Sequence, residues 1–265
     1  MTGSSACPAG VRRVEARAVL SLSRLPGIDR ALNPYTGCSH ACAYCYAQDV
    51  MRLGPRGEWG TWVDVKANAP RLLERELGKA DFNGVVGVGT VTDPYQQEER
   101  NSNITRACLE VLQKHNAAVC IQTKSNLVPR DIDLIAGFAR KEVGFTVTTL
   151  DEKLRRLIEP GAPPSEKRFE AMRTLSEAGI ATWLFLGPVF PGLNDSNESV
   201  LAIAERAKES GARKILYDRY RPKPLADGRM HRALGDSFVR RGPMNWANIL
   251  VGACRHMGME AESAF

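Results

Sequence analysis

Residues 33–47 read Asn33-Pro34-Tyr35-Thr36-Gly37-Cys38-Ser39-His40-Ala41-Cys42-Ala43-Tyr44-Cys45-Tyr46-Ala47. Three of the seven cysteines fall in this one loop, at the spacing C-x3-C-x2-C. Three thiolates hold three irons of a cubane [4Fe–4S] cluster, whose usual protein complement is four cysteines. The fourth iron is then left open to a small ligand. A structural zinc ion wants a closed set of four ligands, usually as two separated pairs. No C-x2-C or H-x3-H partner pair occurs elsewhere, and His40, inside the loop, would be a cramped fourth ligand. Three buried free thiols, packed as small apolar groups, are the remaining alternative.

Outward from this loop, apolar runs alternate with amphipathic segments. Strands are expected at 32–37, 85–91 (VVGVGTV), 118–122 (AVCIQ), 144–149 (GFTVTT), 180–186 (IATWLFL) and 214–217 (KILY). Helices are expected from about Ala43 and over 104–115, 132–140, 166–178 and 199–210, the last two stopped by Gly179 and Gly211. Six β-α units in order imply parallel strands joined by right-handed crossovers. The fold class is therefore α/β, as a full or partial (β/α) barrel or an open doubly wound sheet. The absence of a G-x-G-x-x-G turn and of a P-loop weakens the open nucleotide-binding sheet. A parallel sheet gathers the residues that follow its strands on one face. Those are the cysteines after the first strand, Thr92 and Asp93 after the second, and Lys124 after the third. Thr146 and Thr148 lie on the fourth, and Pro188 follows the fifth.

Bulk properties set limits. The 265 residues are 43% hydrophobic and 25% charged, ordinary for a globular chain. No stretch of 18 apolar residues suggests a membrane span. Residues 1–24 lack the apolar core of a secretory signal. An odd cysteine count with three in a metal-type loop fits a reducing compartment, so a cytoplasmic location is expected. Cys7, Cys108, Cys120 and Cys254 have no evident partners. The net charge is +6, concentrated between Arg219 and Arg241: Arg219, Arg221, Lys223, Arg229, Arg232, Arg240 and Arg241 face only Asp227 and Asp236. Such a run is either a solvated face or a surface for an anionic substrate such as a nucleotide or nucleic acid. The expected organisation is an N-terminal extension over 1–30, the barrel over 31–220, and a basic C-terminal segment over 221–265 that closes it.

Taken in order, the stretches 33–47, TDPYQ (92–96), TKSNLVPRDIDL (123–134), TVTTLD (146–151), IEPGAP (158–163) and GPVFPGLND (187–195) resemble the radical SAM superfamily, and within it the spore photoproduct lyase-like branch. The resemblance implies a partial (β/α)6 TIM-type barrel with a [4Fe–4S] cluster on Cys38, Cys42 and Cys45. It implies S-adenosylmethionine (SAM) chelated at the open iron and cleaved reductively to methionine and a 5′-deoxyadenosyl radical, which takes hydrogen from a substrate. It also implies a low-potential electron donor, a flavodoxin or ferredoxin. Tyr44 matches the position whose backbone approaches the adenine. Lys124 matches a lysine that pairs with the SAM carboxylate; a solvated surface lysine is its plainer reading. Thr146 stands where the lyases have a serine near SAM, and is otherwise a strand-forming residue. Thr148, on the same expected strand, is a further candidate for cofactor binding. Thr92 and Asp93 match a loop lining the site, and are otherwise a turn or helix cap.

One departure bears on the chemistry. The lyases carry a hydrogen-donating cysteine three residues before the aspartate that Asp93 matches, and this chain has Thr90 there. An alcohol O–H does not give up hydrogen to a carbon radical as a thiol S–H does. Tyr46 matches a tyrosine of the lyases' hydrogen relay and is the remaining donor, or else a packing aromatic. The substrate reading is a nucleic acid lesion or a nucleotide. The alternatives are a small metabolite of natural-product or cofactor biosynthesis, and a non-catalytic, metal-containing nucleic-acid-binding protein. An electron carrier gains nothing from an open iron.

Overall fold

Apolar, β-branched runs between Gly-, Asn- and Asp-rich loops become strands, and segments with apolar residues three and four apart become helices. The computed structural model describes residues 10–53, 56–78, 82–238 and 245–264. The strands are β1 (Val11–Val14), β2 (Leu20–Leu22), β3 (Arg30–Leu32), β4 (Tyr35–Thr36), β5 (Val63–Lys66), β6 (Val85–Val88), β7 (Ala118–Thr123), β8 (Lys141–Thr146), β9 (Ala181–Val189), β10 (Ala212–Arg219) and β11 (Glu260–Ser263). The helices are α1 (Ala47–Val50), α2 (Ala69–Leu77), α3 (Glu99–Ser102), α4 (Ile104–Lys114), α5 (Ile132–Ala136), α6 (Glu152–Ile158), α7 (Ser165–Glu177), α8 (Asn197–Glu209), α9 (Pro224–Leu234) and α10 (Trp246–His256).

Eight strands form one sheet in the order β11-β10-β9-β8-β7-β6-β3-β2. Every neighbouring pair from β3 to β11 is parallel, and only β2 runs antiparallel to its neighbour. This is the partial TIM-type barrel expected from the sequence, with β2 and β11 as its two edges. Its apolar core holds Leu32, Val86, Val88, Ile121, Val143, Phe145, Leu184, Leu186 and Ile215, all buried. Each such side chain stabilises the fold by roughly 1.5–3 kcal/mol. Helix α4 packs its apolar stripe, Cys108, Leu109 and Leu112, on this core. Helices α7 and α8 stop where expected, with Gly179 and Gly211 at φ +77° and +85°.

Three features differ from the periodicity. The first expected strand is divided. Arg30–Leu32 joins the barrel, whereas Tyr35–Thr36 pairs with β5 in a separate three-stranded sheet, order β1-β5-β4. Pro34 lies at the break and has no N–H to offer a ladder. The cysteine loop therefore leaves from the small sheet. The second feature is β11, a further parallel strand. Its Glu-Ala-Glu-Ser sequence has no apolar run, and it pairs Glu260 opposite Lys214 at the barrel edge, where charge is tolerated. Helix α5 also ends early, at Ala136 before Gly137, and Lys141 Nζ donates to the open carbonyls of Ala136 (2.7 Å) and Phe138 (2.9 Å). No described helix is long and apolar enough to cross a membrane.

Candidate functional site

The loop of residues 37–46 is short of regular structure, so its backbone groups must find partners elsewhere. At its base, Tyr35 donates to Glu99, which also accepts from the Thr105 amide (2.9 Å). Thr92 Oγ1 donates to the Gly37 carbonyl (2.6 Å), and Gln96 Oε1 accepts from the Ser39 amide (2.8 Å). The Ala43 amide donates to the Ile158 carbonyl (2.8 Å), and the Gly161 amide to that of His40 (3.0 Å). From the C-terminal side, Arg229 donates to the carbonyls of Ala43 (3.1 Å) and Cys45 and to Gln48 Oε1 (2.7 Å). In return, the Leu225 amide at the start of α9 donates to Asp49 Oδ1 (3.0 Å). Backbone approaches closely at Gly161, where a Cβ would stand 2.0 Å from the Ser39 carbonyl oxygen. Gly161→Ala is expected to cost about 1–3 kcal/mol, read as a lowered urea midpoint.

All three thiols of the loop are free; Cys38 and Cys42 are buried and Cys45 is half-buried. Burial raises Cys38 well above the ordinary thiol value, with Asp93 and the Cys42 and Cys45 thiols adding to it. Burial likewise pushes Cys42 up to about 12, although the nearby Lys124 opposes this. Burial also raises Cys45.

Above the thiols lies a buried polar network. The Tyr44 hydroxyl donates to Glu159 and is 3.1 Å from Thr148 Oγ1. Thr148 Oγ1 also reaches Glu159 Oε1 (2.8 Å) and the Gly187 carbonyl (3.2 Å). Glu159 pairs with Arg168, which is fully buried and donates further to the Thr146 carbonyl (2.9 Å). Burial opposes the Glu159 charge, yet Arg168 and then Lys124 hold its carboxyl down at about 2. The Lys124 ammonium sits 5.6 Å from the Tyr44 ring centroid and makes no hydrogen bond or ion pair among the described residues. Burial disfavours its charge, but Cys42 and Glu159 outweigh burial and raise it.

Asp93 is the hub between strands. Its oxygens accept from Thr123 Oγ1 (2.7 Å), the Lys124 amide (2.7 Å) and the Tyr95 amide (2.9 Å), with His40 Nδ1 at 3.3 Å. His40 and these hydrogen bonds overcome burial and hold its carboxyl at about 2. The structure thus brings the three cysteines, Tyr44, Asp93, Lys124 and Thr148 together at the carboxyl ends of the strands. Thr92 is spent on the loop. Thr146 is buried, with its hydroxyl 3.4 Å from Gln122 Nε2. Tyr46 is 45% exposed, and its hydroxyl donates to the Thr90 carbonyl (2.7 Å), while Thr90 Oγ1 accepts from Asn33 (2.9 Å). Sequence reasoning missed Glu159, Arg168 and Arg229. Glu159 lies in the IEPGAP stretch, so its position was flagged though its partner was not. Arg229 was counted in a basic surface run but is buried.

The chain matches the Radical SAM superfamily over residues 32–207. It is 37% identical over 183 residues to the uncharacterized protein MJ0683 of Methanocaldococcus jannaschii, covering 69% of each chain. It is 31% identical over 188 residues to the uncharacterized protein Rv2578c of Mycobacterium tuberculosis, covering 68% of this chain but only 55% of that one. The fold is shared with spore photoproduct lyase, solved with a dinucleoside spore photoproduct. The TM-score is 0.70 at 13% identity, over 96% of this chain and 82% of the lyase. The chain belongs to the radical SAM superfamily and is an enzyme of it.

Proposed function

We propose that Cys38, Cys42 and Cys45 hold a [4Fe–4S] cluster, that SAM binds beside it against Tyr44 and Lys124, and that the substrate is a nucleotide or a nucleic acid. The observation that carries this reading is the pairing of three free thiols, two buried and one half-buried, with an ammonium that forms no ion pair among the described residues. Among the described residues no three Cys, His, Asp or Glu side chains converge as one metal ion needs. A cubane makes no such demand, because its thiolates each sit on a different iron.

When bound, the cluster and SAM supply a 5′-deoxyadenosyl radical that takes hydrogen from the substrate. The protein's part is binding, orientation and exclusion of water. Lys124 offers a charge-assisted hydrogen bond to a carboxylate. Glu159 and Thr148 fix the Tyr44 ring by its hydroxyl, and Asp93 sets the Lys124 backbone. Lys124→Met is therefore expected to raise the Kd for SAM roughly 10- to 100-fold, with Lys124→Arg recovering part of it. Calorimetric titration of the reconstituted protein reads this. Tyr46 has an exposed O–H at the loop and fits the role of hydrogen donor, with Thr90, its carbonyl partner, holding it in place.

The nucleotide reading rests on Arg219 at the end of β10, Arg221 and Lys223 after it and Arg232 on α9, all exposed, and on the dinucleoside bound by the lyase of like fold. Arg240 and Arg241 lie outside the described residues. A second reading, a small metabolite, is favoured by the aromatic residues at the same end. Tyr220 and Phe238 pack on Phe190 at 4.8 and 6.3 Å between ring centroids, rather than standing free to stack on bases. Incubation with SAM, reductant and a perdeuterated thymine dinucleotide or oligonucleotide separates them. Deuterium in the released 5′-deoxyadenosine supports the nucleotide; none from any nucleotide tested favours the metabolite.

A further inference from the structure

Arg229 is buried, on α9, far in sequence from the cysteine loop. Its guanidinium is surrounded by loop atoms: the carbonyls of Ala43 (3.1 Å) and Cys45, Gln48 Oε1 (2.7 Å), and the Trp59 ring, whose centroid is 5.6 Å away. All of these are neutral. Asp49, the near carboxylate on α1, turns its two oxygens to the Leu225 and Ala226 amides instead (3.0 and 3.3 Å). Arg229 forms no ion pair among the described residues. The two other arginines buried among the described residues differ: Arg168 pairs with Glu159, and Arg155 with Glu152 (2.7 Å). A buried cation without an anion is costly, so its persistence calls for a compensating charge. Its three hydrogen bonds run to neutral oxygens and the Trp59 face adds a cation–π attraction, but none of these groups carries a negative charge.

We infer that Arg229 is the charge-compensating residue of the iron–sulfur site, set so that an anionic cluster on Cys45 and its two companions supplies the missing counter-charge. The inference rests on the cluster reading given above. A cluster on three thiolates is anionic and gains one more negative charge on reduction, so a fixed guanidinium behind Cys45 favours the reduced state. Net charge and hydrogen bonding around the sulfurs are the levers by which proteins set such potentials. Arg229 also fastens α9 to the loop, so the C-terminal segment and the cluster's electronic setting are tied to one side chain. Arg229 is a positioning residue: it touches the loop, and acts on the cluster through charge.

The test compares wild type, Arg229→Gln and Arg229→Lys, each anaerobically reconstituted, by redox titration followed by electron paramagnetic resonance. Arg229→Gln is expected to shift the reduction equilibrium at least tenfold toward the oxidised form, about 59 mV for a one-electron couple. Arg229→Lys keeps the charge but loses the fork, and is expected to stay near wild type. Equal potentials in wild type and Arg229→Gln, or equal shifts in both variants, would overturn the inference. Melting of the metal-free and loaded forms covers poor loading. Charge compensation predicts that Arg229→Gln loses more stability loaded than metal-free, or that it fails to load while its metal-free form melts as wild type does. A metal-free variant that is itself unfolded would show a purely structural clamp and overturn the inference. If wild type takes up no iron and sulfide, the cluster reading fails first and this inference with it.

Discussion

Cys42→Ala is expected to fold and yet to hold no cluster. The loop around Cys42 is kept by backbone bonds that do not involve its thiol: Ala43 to Ile158 (2.8 Å), Ala41 to Cys38 (3.2 Å) and Gly161 to His40 (3.0 Å). Removing one buried sulfur leaves a small void, worth about 1–2 kcal/mol on the scale of core truncations. Two thiols cannot supply the three corners of the cubane that the protein must hold. Iron per chain after reconstitution should fall to background, and the reduced-cluster resonance should vanish. SAM cleavage should drop by roughly 10³-fold or more, since the difficult chemistry belongs to the cofactors. A Cys42→Ala protein that still bound iron and cleaved SAM would remove these cysteines from the site.

The second large effect is on stability. Arg168→Met leaves Glu159 as a charge buried without its partner, and Glu159→Gln does the same to Arg168. Breaking a buried pair from one side costs about 3–5 kcal/mol. At roughly 2–4 °C per kcal/mol for a chain of this size, each single variant should melt about 6–20 °C below wild type. The double variant Glu159→Gln/Arg168→Met should lose less than the two singles together, because it leaves no orphaned charge. The same pair sets an acid limit. Glu159 titrates at about 2 in the fold against 4.5 ordinarily. Its depressed value means that the stabilisation is complete above 4.5 and is lost as pH falls toward 2. The amount is about 3 kcal/mol by linkage. Urea midpoints measured from neutral pH to about pH 3 should fall steeply for wild type and less for Glu159→Gln.

The barrel and the cysteine loop were legible because their signals are local. Three cysteines within eight residues and six apolar runs at regular intervals need no knowledge of distant partners, and Gly179 and Gly211 mark two helix ends by themselves. What escaped was long-range. Arg229 lies 184 residues from Cys45, and nothing in a run of arginines says which one turns inward. Glu159 finds Tyr44 across 115 residues. Asp93 could be read as a turn residue or a site residue. It is both, since its oxygens take the Tyr95 amide of its own turn and the Lys124 amide of the next strand. Strand β11 was invisible because an edge strand of alternating Glu carries no apolar period.

The most direct test is 5′-deoxyadenosine release. The protein would be purified without oxygen, reconstituted with iron and sulfide, and given SAM and dithionite, with Cys42→Ala alongside. Release of 5′-deoxyadenosine and methionine by wild type alone is the predicted result. No release from a wild-type protein that is fully loaded with a [4Fe–4S] cluster, or equal release from Cys42→Ala, would contradict the assignment of this site.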